Sequence, residues 1–229
     1  MFDYEEVCPV SKAASLLCER WTLQVLREMF MGATRFSEFR QYLPKMSPTL
    51  LNSRLKLLEE QGLIIKKRIP EKKNHEYQLT PMGRAVRPII AEMGKWGIRY
   101  AWESMNKQAM NAAVLVRDFA VALRFEQLPE GNFCLQFNVQ EAEGLYQCFV
   151  TIAEGRAERC EENIGHDVDL YLTADLETLA RVWYGELAPA NAVESGLLKV
   201  VGHSYLAKTL SQWLGVSQFA DCNPRRASG

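Results

Sequence analysis

Ser47-Pro48-Thr49-Leu50-Leu51-Asn52-Ser53-Arg54-Leu55-Lys56-Leu57-Leu58-Glu59-Glu60-Gln61-Gly62 is the stretch whose reading decides the fold. Ser47 is placed to accept from the first free N–H groups of a helix. Pro48 suits the first helical position because it has no N–H to leave unpaired, and Gly62 suits a left-handed stop. At about 100° per residue, Leu51, Leu55 and Leu58 fall on one stripe. Thr49, Ser53 and Lys56 fall on the opposite one, with Asn52 beside them. One face is core; the other is polar and short.

Short polar side chains at the front of a helix, followed by Arg54 and Lys56, let it lie deep in a major groove, with hydroxyls and amides at base edges and cations at phosphates. Taken alone, the pattern also fits an ordinary surface helix. The adjoining hairpin shifts the balance. Leu63 to Ile69 and His75 to Leu79 read as strands joined by the turn-forming Pro70-Glu71-Lys72-Lys73-Asn74. This hairpin carries Lys66, Lys67, Arg68, Lys72 and Lys73 against Glu71 and Glu76 alone. A solvated charge run would account for the hairpin by itself. A cationic ribbon next to a groove-sized helix points to double-stranded DNA, since phosphate contacts set register and helix contacts set sequence preference.

The segments Cys8-Pro9-Val10, Glu19-Arg20-Trp21-Thr22-Leu23, Leu26-Arg27-Glu28, Arg35-Phe36-Ser37-Glu38-Phe39, Leu58-Glu59-Glu60-Gln61-Gly62-Leu63 and Tyr77-Gln78-Leu79-Thr80-Pro81-Met82-Gly83, together with the Ser47 helix, resemble the HxlR family of bacterial transcription regulators. The resemblance covers about residues 8 to 105. It implies a dimeric winged helix related to the MarR type that represses or activates by operator binding. Carried onto this sequence, Ser47, Thr49, Asn52, Ser53, Arg54 and Lys56 belong to the recognition helix, and Lys66, Lys67, Arg68, Lys72, Lys73, Asn74 and His75 to the wing. Arg35 joins the DNA-facing set. Cys18 stands where the family usually has glycine.

With 229 residues and 48% hydrophobic content, the chain is long enough for two cores, expected at 1–110 and 111–229. The net charge of −1 hides an asymmetry. Residues 1–110 carry 18 Lys and Arg against 12 Asp and Glu, and residues 111–229 carry 9 against 16. The acidic half is expected to stay clear of phosphates. No run approaches the roughly 18 apolar residues of a membrane helix, and the acidic start lacks the basic region of a signal peptide, so no membrane insertion and a cytoplasmic location are expected. The six cysteines include no C-x-x-C pair and the three histidines are scattered. No metal, cofactor, nucleotide cradle or catalytic constellation is signalled, which reads as a non-enzyme.

Thr80 and Pro81 open a further helical pattern running to about Lys107, with Val86, Ile89, Ile90, Met93, Trp96 and Tyr100 along one side and a bend expected at Pro88. Such a stripe packs on its own domain or on a second copy. The family resemblance, which implies dimers formed by terminal helices, favours a homodimer through this helix and the segment near Ser11 to Leu17. Two wings about 34 Å apart would then read an inverted repeat.

Beyond residue 110 the patterns change. Val116 to Glu126 reads as helix, Phe133 to Val139, Cys148 to Ala153 and Val168 to Leu172 as strands. Asp175 reads as a cap for Leu176 to Trp183, and Ser204 to Leu214 as a last helix. The fold class is therefore α+β: an N-terminal winged helix-turn-helix, then a sheet with helices on one side. Asp167 to Leu179, Trp183-Tyr184-Gly185, Gly196 to Gly202 and Leu206 are similar to the C-terminal half of sterol carrier protein type-two domains, over about residues 112 to 218. That similarity implies an apolar tunnel between sheet and helices for a lipophilic ligand. Phe125, Phe133, Phe137, Phe149, Tyr171, Leu176, Leu179, Trp183 and Leu198 are its candidate lining, although residues of these types at such spacings are more often plain core.

Two alternatives stay open: a lipid carrier whose winged module mediates protein contacts, and a regulator that senses oxidants or electrophiles at Cys8. The family resemblance implies that role for the cysteine of Cys8-Pro9-Val10, and a position before a helix start would favour it by lowering the thiol pKa; a small buried apolar residue is the plain reading of Cys8.

Overall fold

The computed structural model describes residues 7–68, 75–104, 110–162, 165 and 167–226. The chain forms two compact units, Met1–Gly94 and Lys95–Gly229.

In the first unit, α1 (Pro9–Leu17), α2 (Thr22–Phe30), α3 (Phe36–Tyr42) and α4 (Pro48–Glu60) precede a hairpin of β1 (Ile64–Arg68) and β2 (His75–Leu79). The Ser47 hydroxyl accepts from the Leu50 N–H at 3.3 Å, and Gly62 takes a φ of +73°, so both ends of α4 form as the sequence dictates. Leu51, Leu55 and Leu58 are buried with Val25, Leu26, Phe39 and Met46. The hairpin is antiparallel, with Ile64 opposite Leu79 and Arg68 opposite His75. Its base is locked to the core: the Tyr77 N–H donates to the Thr34 carbonyl at 2.8 Å, and the Tyr77 ring meets Phe39 edge-on. The Thr80 hydroxyl donates to the Gly62 carbonyl at 2.7 Å and accepts from the Gly83 N–H at 3.0 Å, starting α5 (Pro81–Arg84). Gly83 is required there, because a Cβ would sit 2.0 Å from the Leu63 carbonyl oxygen.

The helix expected from Pro81 onward is not continuous. It breaks after Arg84 and resumes as α6 (Arg87–Tyr100), followed by a short 3-10 turn at Trp102–Ser104. Pro88 has no N–H for the Arg84 carbonyl and its ring would strike that carbonyl, so the chain restarts instead of bending, with Pro88 in the new first turn.

The second unit opens with α7 (Ala112–Val121), which starts four residues before the expected helix. Then come β3 (Phe133–Glu141), β4 (Gly144–Ala153), β5 (Arg156–Cys160), β6 (Leu170–Asp175), α8 (Leu176–Trp183), α9 (Pro189–Glu194), β7 (Lys199–Gly202), α10 (Ser204–Lys208) and α11 (Leu210–Trp213). The strands form one sheet in the order β5-β4-β3-β6-β7, with β3 and β6 parallel and the other neighbours antiparallel. Its inner face, carrying Leu135, Phe137, Val139, Val150 and Leu172, packs on α7 and α8. Asp175 caps α8, its carboxylate accepting the Thr178 N–H at 2.6 Å. Leu206, Leu210, Trp213 and Leu214 are buried as their spacing implies, but His203 caps this last segment, and it is divided at Thr209. The fold is α+β: a winged helix-turn-helix followed by a sheet with helices on one face.

Candidate nucleic-acid interface and ligand cavities

Burying the leucine stripe of α4 turns Thr49, Asn52, Ser53 and Lys56 outward, and all four are exposed. The side chains of Thr49, Asn52 and Ser53 have no hydrogen-bond partner among the described residues. Among the described residues, Lys56 is held only by an exposed i,i+4 pair with Glu60 at 3.6 Å, which water and salt weaken. Ser47 is exposed but its oxygen is committed to the helix cap.

Arg54 departs from the expected set. It is 8% exposed and its guanidinium lies 3.5 Å from the Glu19 carboxylate. Its place on the helix, three residues after Leu51 and four before Leu58, puts its Cβ beside the core stripe and its head on the α1–α2 connection. Arg54 therefore belongs to the frame and not to the outward row.

Lys66, Lys67, Arg68 and His75 are exposed on the hairpin. Lys66 lies over the Tyr77 ring, 5.9 Å from its centroid. Arg35 precedes α3, its guanidinium 3.7 Å from Glu76 on β2. Lys72, Lys73 and Asn74 lie outside the described residues.

The apolar stripe of the last N-terminal helix divides in two. Val86 is buried and Ile90 half-buried on the unit's own core, whereas Ile89, Met93, Trp96 and Tyr100 are 45% to 67% exposed on one face of α6. Trp96 and Tyr100 touch, ring centroids 5.8 Å apart. Exposed apolar residues grouped on one helix face make it a candidate contact surface.

Cys8 immediately precedes α1. Backbone N–H groups of Ser11 and Val10 and the Ser11 hydroxyl direct positive charge at its sulfur and lower the thiol pKa. Cys134 and Cys148 behave oppositely, since burial disfavours their thiolates and raises both pKa values.

In the second unit the nine expected ligand-lining residues do not surround one tunnel. Phe137, Leu179, Trp183 and Leu198 are 7% exposed or less within the packed core between sheet and helices, with Leu176 against it. Phe149 and Tyr171 are on the opposite face. They sit beside Gln136 in the row Cys160, Phe149, Gln136, Tyr171, Val201, because strand residues alternate faces and these are out of step with Phe137 and Leu172. Phe125 and Phe133 do meet a cavity, one of about 350 Å³ with Leu128, Ile152, Glu130 and Glu154. A larger cleft of about 530 Å³ runs between the end of α8, the start of α9, α11 and residues 216–226. None of the nine lines it, and the sequence carries no periodic signal for it, since its walls come from loops and helix ends.

Among the described residues no cluster of His, Cys, Asp and Glu is arranged to hold a metal ion, and no helix is long and apolar enough to cross a membrane.

A helix presenting unpaired short polar side chains beside a cationic β-ribbon, on a helix-turn-helix frame, defines a winged-helix DNA-binding protein. Comparison with known proteins narrows this. The HxlR-like helix-turn-helix model matches residues 16–105. The chain is 38% identical to the uncharacterized HTH-type transcriptional regulator YvaP of Bacillus subtilis (strain 168), over 43% of this chain and 93% of that protein. It is 35% identical to an uncharacterized HTH-type transcriptional regulator of Methanothermobacter thermautotrophicus, over 46% of this chain and 82% of that one. The chain belongs to the HxlR-like helix-turn-helix family and is a DNA-binding transcriptional regulator of that type. Residues 123–215 match the SCP-2 sterol transfer family, so a second module with a carrier-protein fold follows the DNA-binding one.

Proposed function

We propose that this protein is a homodimeric, cytoplasmic regulator that reads an inverted-repeat operator and is controlled by a lipophilic effector held in its C-terminal module. Residues 1–110 serve DNA binding and dimerisation, and residues 111–229 serve ligand binding. The observation that carries the reading is the row Thr49, Asn52, Ser53 and Lys56. Its three uncharged members have donors and acceptors that no group among the described residues satisfies, which is the arrangement base-edge readout needs. The hairpin cations Lys66, Lys67 and Arg68, with Lys72, Lys73, Asn74 and His75 beyond them, supply the phosphate contacts, and Arg35 borders them. The exposed Ile89, Met93, Trp96 and Tyr100 face of α6 supports dimerisation through a second copy of itself.

Control by an effector requires that it bind two arrangements of the dimer unequally, by about 1.4 kcal/mol for each tenfold change in operator affinity. The test is a footprint on DNA flanking the gene at two salt concentrations. A protected inverted repeat with half-sites about 34 Å apart and a steep salt slope supports the reading. Salt-insensitive or sequence-blind binding, with lipid copurifying, rejects it in favour of a carrier.

A second reading rests on Cys8. Its lowered thiol pKa favours the reactive thiolate, so release of the operator by peroxide or quinones that is lost in Cys8→Ser supports redox control. Unchanged release in Cys8→Ser rejects it.

A further inference from the structure

In the interior between sheet and helices, where the carrier-like fold implies a tunnel, Phe137, Leu179, Trp183 and Leu198 are packed together as core. Space for a ligand lies at the edge of that core, in the cleft of about 530 Å³ walled by the half-buried Leu187, Pro189 and Val216 and reaching the buried core residues Val182 and Leu214. Gly185, at φ +75°, and Ala220 both line it and lie so close that a Cβ on Gly185 would stand 3.0 Å from the Ala220 Cβ. This volume falls within the range of small-molecule sites.

Among the described residues, the charged side chains that line the cleft are of one sign. Arg124 and Arg226 both line it. Arg226 is already paired with Asp221. Arg124 is exposed, donates to the Gln212 carbonyl at 3.2 Å and makes no ion pair among the described residues, leaving most of its donor fork available. This is unexpected in a module with 9 basic against 16 acidic residues, whose overall field repels anions. Affinity for an anion must then come from a local site. An arginine fork beside apolar walls meets a carboxylate in two parallel hydrogen bonds while the walls cover a hydrocarbon body.

We propose that this cleft binds an organic acid, a carboxylate carrying a medium-length apolar chain or aryl group, with its head on Arg124 and its body against Leu187, Pro189 and Val216. The proposal rests on the effector-controlled reading and specifies the site and the charge of the effector. A neutral sterol-like molecule would leave the Arg124 fork facing no partner.

The test titrates the full chain by calorimetry with decanoate, decanol and decylamine, and repeats it with Arg124→Gln and Ser211→Phe, the latter filling the mouth from α11. Retention of the wild-type melting temperature and circular dichroism confirms that each variant folds. The expected result is one decanoate per chain, bound tenfold or more tightly than decanol, with decylamine weakest. Arg124→Gln removes the preference for the acid and leaves decanol unchanged; Ser211→Phe blocks both. Equal binding of acid and alcohol, or decanoate binding untouched by either substitution, overturns the proposal. A parallel operator footprint with decanoate separates the two readings. Arg124-dependent binding that leaves the footprint unchanged supports the cleft and rejects effector control, whereas operator release by a lipid insensitive to Arg124→Gln supports effector control and rejects the cleft.

Discussion

The outward face of α4 and the outer face of the five-stranded sheet are made by the same device, alternation of buried and exposed residues, yet they leave their polar groups in opposite states. On the sheet, Gln136 and Gln147 both donate to the Asn138 carboxamide oxygen, at 2.8 and 2.9 Å, and Asn138 donates to the Thr173 hydroxyl at 3.2 Å. On the helix, the side chains of Thr49, Asn52 and Ser53 bond to nothing among the described residues. Neighbouring strands place side chains within reach of each other, whereas helix positions on one face stand apart by a turn and their side chains here are too short to meet. A polar face therefore offers recognition only where its groups have not satisfied one another.

The largest effect is expected at the surface that would pair two such helices. Met93→Glu with Trp96→Glu places two charges on the exposed α6 face and should leave a monomer in sedimentation. Trp96→Ala alone should weaken the dimer by about 2–4 kcal/mol, the cost typical of an aromatic anchor. A dimer that survives Met93→Glu with Trp96→Glu would break the link drawn between that face and operator binding.

Arg54→Ala sharpens the contrast within α4 itself. It should lower unfolding stability by roughly 1–3 kcal/mol, below the value for a fully buried pair because Glu19 is about one-third exposed, and leave sequence preference intact. Loss of preference without loss of stability would return Arg54 to the reading face. Ser53→Ala with Lys56→Ala should do the reverse, narrowing discrimination between operator and mismatched DNA by about 1–3 kcal/mol with little change in melting. Lys67→Ala with Arg68→Ala should weaken all duplexes alike and flatten the log-affinity against log-salt slope by about 2. If the helix and hairpin variants behave identically, their roles have been assigned wrongly.

The smallest change concerns thiol chemistry and compares the two units directly. Cys8 should be alkylated by iodoacetamide at neutral pH well before Cys134 and Cys148. Its thiolate fraction rises at lower pH than that of an ordinary thiol, while burial delays theirs to higher pH. Mass mapping of the alkylated peptides reads the order, and an inverted order removes the redox reading.

The N-terminal unit was the more legible of the two. Ser47, Pro48 and Gly62 fixed α4, and its heptad-like leucines fixed which residues face out. Arg54 was misplaced because a helical wheel records angle, not the partner that Glu19 offers from another segment. In the C-terminal unit, alternation and the Asp175 cap make β6 and α8 legible, while β5 is not, because Arg156-Ala157-Glu158-Arg159-Cys160 carries too few apolar residues to show a period. Residue type alone groups Phe149 and Tyr171 with Phe137; the pairing register puts those two on the opposite face of the sheet from Phe137.

Local patterning by itself determined the winged helix-turn-helix, its outward polar row, its cationic ribbon and the charge division between the halves, because caps and periodicities act within a few residues. Tertiary packing alone decided that Arg54 turns to Glu19, that Phe137, Leu179, Trp183 and Leu198 bury themselves between sheet and helices, and that a cleft rimmed by Arg124 and Arg226 opens elsewhere. Those outcomes depend on which distant segments meet, and positions 124, 185, 214 and 226 have no common period along the chain.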